Sequence, residues 1–282
     1  MIKVVEFPNK EFQTKEELFK ALIDNKKELI SIKKSTTKNA DAVSFGYLDT
    51  SIKIDTNKED IQSQMQNPEV LNVKVVINTT NFLDSHGDVH VNGLWNKSVK
   101  DNVSFLHLQE HEREFDKVIT DSAKGYVQSM QWKKLGLPYE GKTEALIFES
   151  AIDKKRNEFM LNQYANGWVK NHSVGMRYVQ LELAINTEAE YDKEYKALWD
   201  EFYPIIANKE TADERGYFWV VKEAKIIEGS AVVMGSNSAT PTLENKEEIE
   251  PSKDTLDTEP LQDTQQKEEP TIVTQTIKRR NI

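Results

Sequence analysis

The sequence predicts a β-dominated α+β fold, and three observations carry that expectation. Runs rich in β-branched and aromatic residues recur from residue 71 onward. Segments with apolar residues at helical spacing lie between them. After Gly235 the chain has no further glycine and no aromatic residue, so the pattern that specifies packed elements stops there.

The first element is a helix over 14–31. Thr14-Lys15-Glu16-Glu17 has the capping-box pattern, in which a threonine side chain and a glutamate three residues on satisfy free backbone donors at a helix start. Leu18, Phe19, Leu22, Ile23, Leu29 and Ile30 then follow on one face. A polar stretch over 33–41 leads to two short strand-like pieces at 43–47 and 52–54, and 58–68 reads as polar helix or loop. Together these form an N-terminal extension, residues 1–70, accessory to the main domain.

Strands are expected at 73–77, 103–108, 126–132, 145–148, 173–183 and 217–234, with helices at 93–99, 156–169 and 188–207. In the last helix Tyr191, Tyr195, Leu198, Trp199 and Phe202 make an aromatic stripe, the signature of a face packed on a sheet rather than of a ligand site. From Leu243 the chain is thick with Glu, Asp, Lys, Gln, Thr and Pro. Residues 243–282 cannot bury enough apolar surface to offset their ordering entropy, so an acidic, disordered tail is expected. Its basic end, Lys278-Arg279-Arg280, reads as a solvated terminus before it reads as a docking signal.

Composition narrows the function classes. A length of 282 residues is enough for one substantial core with attachments, while 38% hydrophobic residues points to a solvated portion. The net charge of −10 opposes broad binding to phosphate backbones or anionic lipid. With no cysteine there is no thiolate catalysis, disulfide or cysteine zinc site. No run approaches the roughly 18 apolar residues of a membrane span, and the N-terminus lacks a signal-peptide core. The expectation is a soluble protein made in a cytoplasm, with no nucleic acid and no membrane among its partners.

Four segments carry candidate chemistry. Asn171-His172-Ser173-Val174-Gly175-Met176-Arg177 places a serine at the head of an alternating run. Serine needs a general base, because its hydroxyl is a poor nucleophile at neutral pH, and His111 in Glu110-His111-Glu112 offers one. His107-Leu108-Gln109-Glu110-His111 also matches H-x-x-E-H, which on a helix would put two imidazoles on one face to bind zinc. The β-like residues before it argue instead for a strand ending in a charged turn. In Asp84-Ser85-His86-Gly87-Asp88-Val89-His90, alternate residues His86, Asp88 and His90 would share a strand face and could hold a metal, but Gly87 and the turn-prone Asp and Ser favour a surface loop, so no metal is assigned. Finally, Glu228 is one carboxylate among the apolar residues of 225–234; burial would demand a partner, and an imidazole is suitable. A strand-end charge in solvent is the alternative.

In order, these pieces resemble the prohead maturation proteases of tailed bacteriophages, a serine protease family that shares its fold with the herpesvirus assemblins. The resemblance rests on 84–95, ending Gly93-Leu94-Trp95; on Phe105-Leu106-His107-Leu108-Gln109-Glu110-His111-Glu112; on His172-Ser173-Val174-Gly175-Met176; and on Glu228-Gly229-Ser230-Ala231-Val232-Val233 with the small-residue turn 237–240. It covers about 71–242. The segment 184–216 departs from the family pattern, being longer and more aromatic than expected there, and reads as a helical insertion. The resemblance implies a compact assemblin-like β-barrel surrounded by helices. It implies a serine endopeptidase without a cofactor, held inside the immature capsid in the host cytoplasm. The major capsid protein and scaffold are its implied substrates, with self-cleavage and possible self-association. Residue by residue, it makes Ser173 the nucleophile, His111 the general base and later acid, and Glu228 the group that orients the imidazole, with Glu112 or His172 as alternatives. A zinc peptidase at His107, Glu110 and His111, and a non-enzymatic scaffold or capsid-assembly protein, are the competing readings.

Overall fold

The computed structural model describes residues 1–40, 69–189 and 192–233. The strand-like pieces at 43–47 and 52–54, the stretch 58–68, Tyr191, the turn 237–240 and the acidic tail lie outside the described residues.

The architecture is mixed α and β, built on one sheet. Among the described residues eight strands form it: β1 (Lys38–Ala40), β2 (Val70–Thr79), β3 (Asp88–His90), β4 (Phe105–Gln109), β5 (Val118–Gln131), β6 (Lys142–Asp153), β7 (Asn171–Ile185) and β8 (Tyr217–Val232). Their order is β1-β7-β8-β4-β5-β6-β2, an open path whose ends are β1 and β2. β8 organises it. Along one side β8 pairs antiparallel with β7 over its whole length. It also pairs in parallel with β3 at Trp219 to Val221 and with β4 at Gly229 to Ala231.

The sheet curls around its core, because distant strands in that order touch. At Gly229 in β8 an added Cβ would stand 2.7 Å from Phe148 of β6 and 2.9 Å from Ile77 of β2. Glycine there lets the β6 and β2 side chains close over β8. Burial of Ile77, Phe105, Phe148, Val174, Met176 and Trp219 supplies the interior, and removing such apolar surface from water is the main favourable term in folding.

Helices cover the sheet. The expected helix over 14–31 is two: α1 (Lys15–Asp24) and α2 (Lys26–Ser35), broken at Asn25, whose backbone leaves helical geometry (φ −104°, ψ 9°). Thr14 Oγ1 accepts from Glu17 N at 3.2 Å as expected, while Glu17 reaches Gln13 N at 2.9 Å. Leu18, Phe19, Leu22 and Leu29 join the main core, so these helices belong to the body of the fold. α3 (Asn96–Asp101) and α4 (Lys154–Ala165) follow. The segment expected as one helix over 188–207 contains α5 (Lys193–Phe202) and a 3-10 turn (Tyr203–Ile205). A further helix, α6 (Lys209–Arg215), follows. Tyr195 and Trp199 of the stripe are buried, Trp199 against Phe218 with ring centroids 4.9 Å apart, so the stripe is a packing face.

Residues 84–90 correct the expectation of a surface loop. Asp88, Val89 and His90 form β3 and all are buried, because Asp88 has partners that no local pattern reveals. Lys33 Nζ from α2 lies 2.6 Å from Asp88 Oδ1, Lys38 Nζ from β1 is 3.8 Å from Oδ2, and the Tyr178 hydroxyl donates to Oδ2. Burial alone would raise the Asp88 pKa, but Lys33 and Lys38 outweigh it and hold the group below its ordinary value. Asp84 Oδ1 accepts from the backbone of His86 and Asp88. Burial, and then the charge of Asp88, push the Asp84 carboxyl up to about 7.

Candidate functional site

β8 brings the candidate residues together at the end where it runs beside β4 and β7. In its register with β7, Ser230 lies opposite Ser173 and Glu228 opposite Gly175. Directly opposed residues share a face, with Cβ atoms about 4.5–5.5 Å apart. Ser173, Gly175, Glu228 and Ser230 therefore line one side of the β7–β8 pair.

His111 reaches that side from the turn that ends β4. Glu110 N donates to Ala231 O at 2.9 Å, and Glu112 N returns to Gln109 O at 3.0 Å. Both intervening residues take left-handed backbone, Glu110 at φ 51° and His111 at φ 60°. Non-glycine residues there cost about 1–2 kcal/mol each relative to ordinary geometry, so surrounding contacts must hold them. Two do so: His111 N donates to Ser230 Oγ at 3.1 Å, and Glu110 Oε1 accepts from Val233 N.

The imidazole then meets the carboxylate. His111 Nδ1 is 2.7 Å from Glu228 Oε1, and Ser230 Oγ donates to Glu228 Oε2 at 2.6 Å. The Glu228 side chain is 2% exposed and that of His111 16%. A buried carboxylate without donors would be costly; here both oxygens are used. As a carboxylate, Glu228 takes a hydrogen from Nδ1, which puts the imidazole lone pair on Nε2, the atom that can accept from a hydroxyl.

Gly175 makes room for this carboxylate. A Cβ at that position would stand 1.9 Å from Glu228 Oε1 and 2.8 Å from its Cδ. Of the sequence candidates, then, the structure gathers His111 and Glu228 into direct contact and sets Ser173 beside Ser230, with Ser173 itself 3% exposed.

The other candidates stand elsewhere. His107 pairs with Gly229, between Glu228 and Ser230, so its side chain projects to the opposite face. There His107 Nδ1 is 2.9 Å from Ser150 Oγ and its Nε2 is 3.1 Å from the Tyr164 hydroxyl, which also lies 2.8 Å from His172 Nε2. One hydroxyl has one hydrogen, so Tyr164 donates to one ring and accepts from the other. Burial pushes the His107 pKa down to about 3. His172 is held well below its ordinary value by burial and then by His107, so both rings are neutral. His172 is thus on the face away from His111, and Glu112 stands 3.9 Å from Lys117. The H-x-x-E-H segment is strand and turn, so its two imidazoles do not share a helical face. Among the described residues no group of three or more His, Cys, Asp or Glu is placed to hold a metal ion, and no helix is long and apolar enough to cross a membrane.

Sequence reasoning missed Ser230 and Tyr164. Ser230 had a local signal: in Glu228-Gly229-Ser230 the outer residues share a strand face, so a hydroxyl beside the lone carboxylate was readable. Tyr164 had none, since its partners lie 57 and 8 residues away on two different strands. Comparison with protein-family models, with curated proteins and with solved structures gives no match.

Proposed function

We propose that the chain is a serine endopeptidase of the prohead-maturation type, with Ser173 as nucleophile, His111 as general base and acid, and Glu228 as the residue that orients His111. The observation that carries this reading is the 2.7 Å contact between His111 Nδ1 and Glu228 Oε1, one strand away from Ser173. A buried carboxylate on Nδ1 fixes the tautomer and stabilises the imidazolium that forms when Nε2 takes a proton. In the reaction Ser173 Oγ transfers its proton to His111 Nε2 and attacks the peptide carbonyl. His111 returns the proton to the leaving amine, and water then releases the acyl group by the same route. The curled sheet with its covering helices is in keeping with an assemblin-like barrel. The proposed substrates are the major capsid protein, scaffold and the chain itself, cleaved inside the immature capsid.

Ser173→Ala tests the proposal. It should abolish both processing of a co-expressed capsid precursor and labelling by a small fluorophosphonate, which reacts with activated serines. Undiminished processing by that variant rejects the assignment. One observation favours a second reading: at 3% exposure the Ser173 side chain is nearly covered. A capsid-assembly protein that retains this arrangement without hydrolysis would give wild-type chain that fluorophosphonate does not label, and capsid maturation indifferent to Ser173→Ala and His111→Ala.

A further inference from the structure

Val233, just past the end of β8, is gripped from both sides. Its N–H donates to Glu110 Oε1, and its carbonyl accepts from Asn171 Nδ2 at 3.1 Å. The two gripping residues belong to the two segments that carry the candidate chemistry. Glu110 immediately precedes His111 in the turn after β4, and Asn171 begins β7 two residues before Ser173, on the same strand face. β8 pairs with both strands at this point, Ala231 standing opposite Gln109 on one side and His172 on the other. The main chain of one residue therefore ties the His111 turn to the Ser173 strand.

The tie holds a turn that would not hold itself. Glu110 is exposed, so packing does not fix it. Glu110 and His111 both take left-handed backbone, at φ 51° and 60°, and two successive non-glycine residues in that region persist only when their surroundings over-determine them. Relaxation to ordinary geometry would swing the imidazole away from Glu228, whose carboxylate Ser230 keeps in place. We infer that Glu110 is a positioning residue: through Val233, and with Asn171 as the anchor on β7, it clasps the His111 turn to the Ser173 strand and keeps the imidazole at Glu228. The inference rests on the hydrolytic reading of Ser173 and adds to it a residue that acts through His111 rather than on the substrate.

The test uses the full chain and two readouts: the rate at which a small fluorophosphonate acylates Ser173, and the downfield proton NMR signal of the His111 Nδ1–H bonded to Glu228, assigned by its loss in His111→Gln. Glu110→Ala removes the acceptor for Val233 N, and Val233→Pro removes the donor while leaving Glu110 in place. Each should lower the limiting acylation rate by about 10- to 100-fold, the effect of a small misplacement of a reacting group, with the half-saturating probe concentration changed by less than about twofold. Each should also lose the His111 signal, with the melting temperature confirming that the chain is folded. The two changes together should cost no more than either alone, because they break the same bond. Glu110→Gln keeps a side-chain oxygen to accept from Val233 N, and should retain both the rate and the signal. A wild-type rate in folded Glu110→Ala overturns the clasp and leaves the hydrolytic reading standing; so does a slow Glu110→Ala whose His111 signal is intact, or an equal loss in Glu110→Gln. A wild-type chain that fluorophosphonate does not acylate overturns the hydrolytic reading, and the catalytic purpose of the clasp with it.

Discussion

Gly175 and Glu228 face one another across the β7–β8 pair so closely that one methyl group cannot be added between them: a Cβ on residue 175 would lie 1.9 Å from Glu228 Oε1. The obstacle is the carboxylate itself, already fixed by His111 and Ser230. Gly175→Ala must therefore push Glu228 off His111 or part the strands. Overpacking of this kind costs about 1–3 kcal/mol, which urea denaturation would register. The proposed peptidase activity should fall by about 100-fold or more, as when an imidazole loses its orienting carboxylate. Full activity in a folded Gly175→Ala chain would detach Glu228 from catalysis.

Replacing either group beside His111 separates charge from position. Glu228→Gln keeps the shape but offers only one acceptor oxygen in place of two, so the tautomer is no longer dictated. Turnover should drop by about 10²–10⁴-fold in steady-state kinetics. Ser230→Ala leaves the carboxylate in place but removes the acceptor for His111 N and the donor to Oε2. Its cost in stability should be about 1–3 kcal/mol, that of buried groups left unsatisfied, with a smaller loss of turnover than for Glu228→Gln. The reverse ranking in kinetics would make Ser230, not Glu228, the group on which the imidazole depends.

How much of the fold and site was legible in the sequence depends on which interactions are local. Alternation and β-branching located β2, β6, β7 and β8, because each buries one face or both. β5 runs further than 126–132, since its first half carries Thr120, Asp121, Ser122 and Lys124, residues whose pairing is supplied by neighbouring strands and not by their own pattern. The break at Asn25 was hidden because the apolar spacing continues through it. β3 was out of reach for a different reason: Asp88 is buried by a lysine 55 residues earlier in the chain. The His111–Glu228 pair was half readable. A lone carboxylate in an apolar strand calls for a partner, but its partner lies 117 residues away; the pattern around residue 228 does not name it, and His111 is preferred to His107 only through the family resemblance.

The buried histidines should make the fold acid-sensitive. His107 has a folded pKa of about 3 against an ordinary 6.5. Between those values the unfolded chain binds a proton that the folded chain does not, so stability is unaffected above about pH 6.5 and falls as pH drops toward 3. Each such proton contributes a slope of about 1.4 kcal/mol per pH unit inside the window, and His172 adds to it in the same direction. In urea titrations from pH 7 to 4, His107→Gln should remove about one proton's share of that slope, although losing the ring weakens the fold at neutral pH. Tyr164→Phe should cost about 1–3 kcal/mol at pH 8 by stripping a hydrogen-bond partner from both rings. An acid slope unchanged in His107→Gln would mean that this ring is not held neutral.

Asp84 works in the opposite sense. Its folded pKa of about 7 lies above the ordinary 3.8, because burial and the Asp88 charge disfavour its ionised form. Between those values the folded chain holds a proton that the unfolded chain has lost, so this contribution is full below about pH 3.8 and disappears as pH rises through 7. Asp84→Asn retains an oxygen to accept from His86 N and Asp88 N while removing the charge. The variant should therefore gain stability relative to wild type on going from pH 5 to pH 8, by something on the order of 2 kcal/mol. Asp88→Asn provides the contrast, because Asp88 is the partner of Lys33 at 2.6 Å. Removing that charge strands a buried ammonium group and should destabilise by about 3–5 kcal/mol at pH 5, where Asp84→Asn carries no such penalty. Urea midpoints of the three chains at the two pH values decide the matter. An Asp84→Asn variant whose stability tracks wild type across that interval would show that Asp84 is already ionised in the folded protein at pH 5.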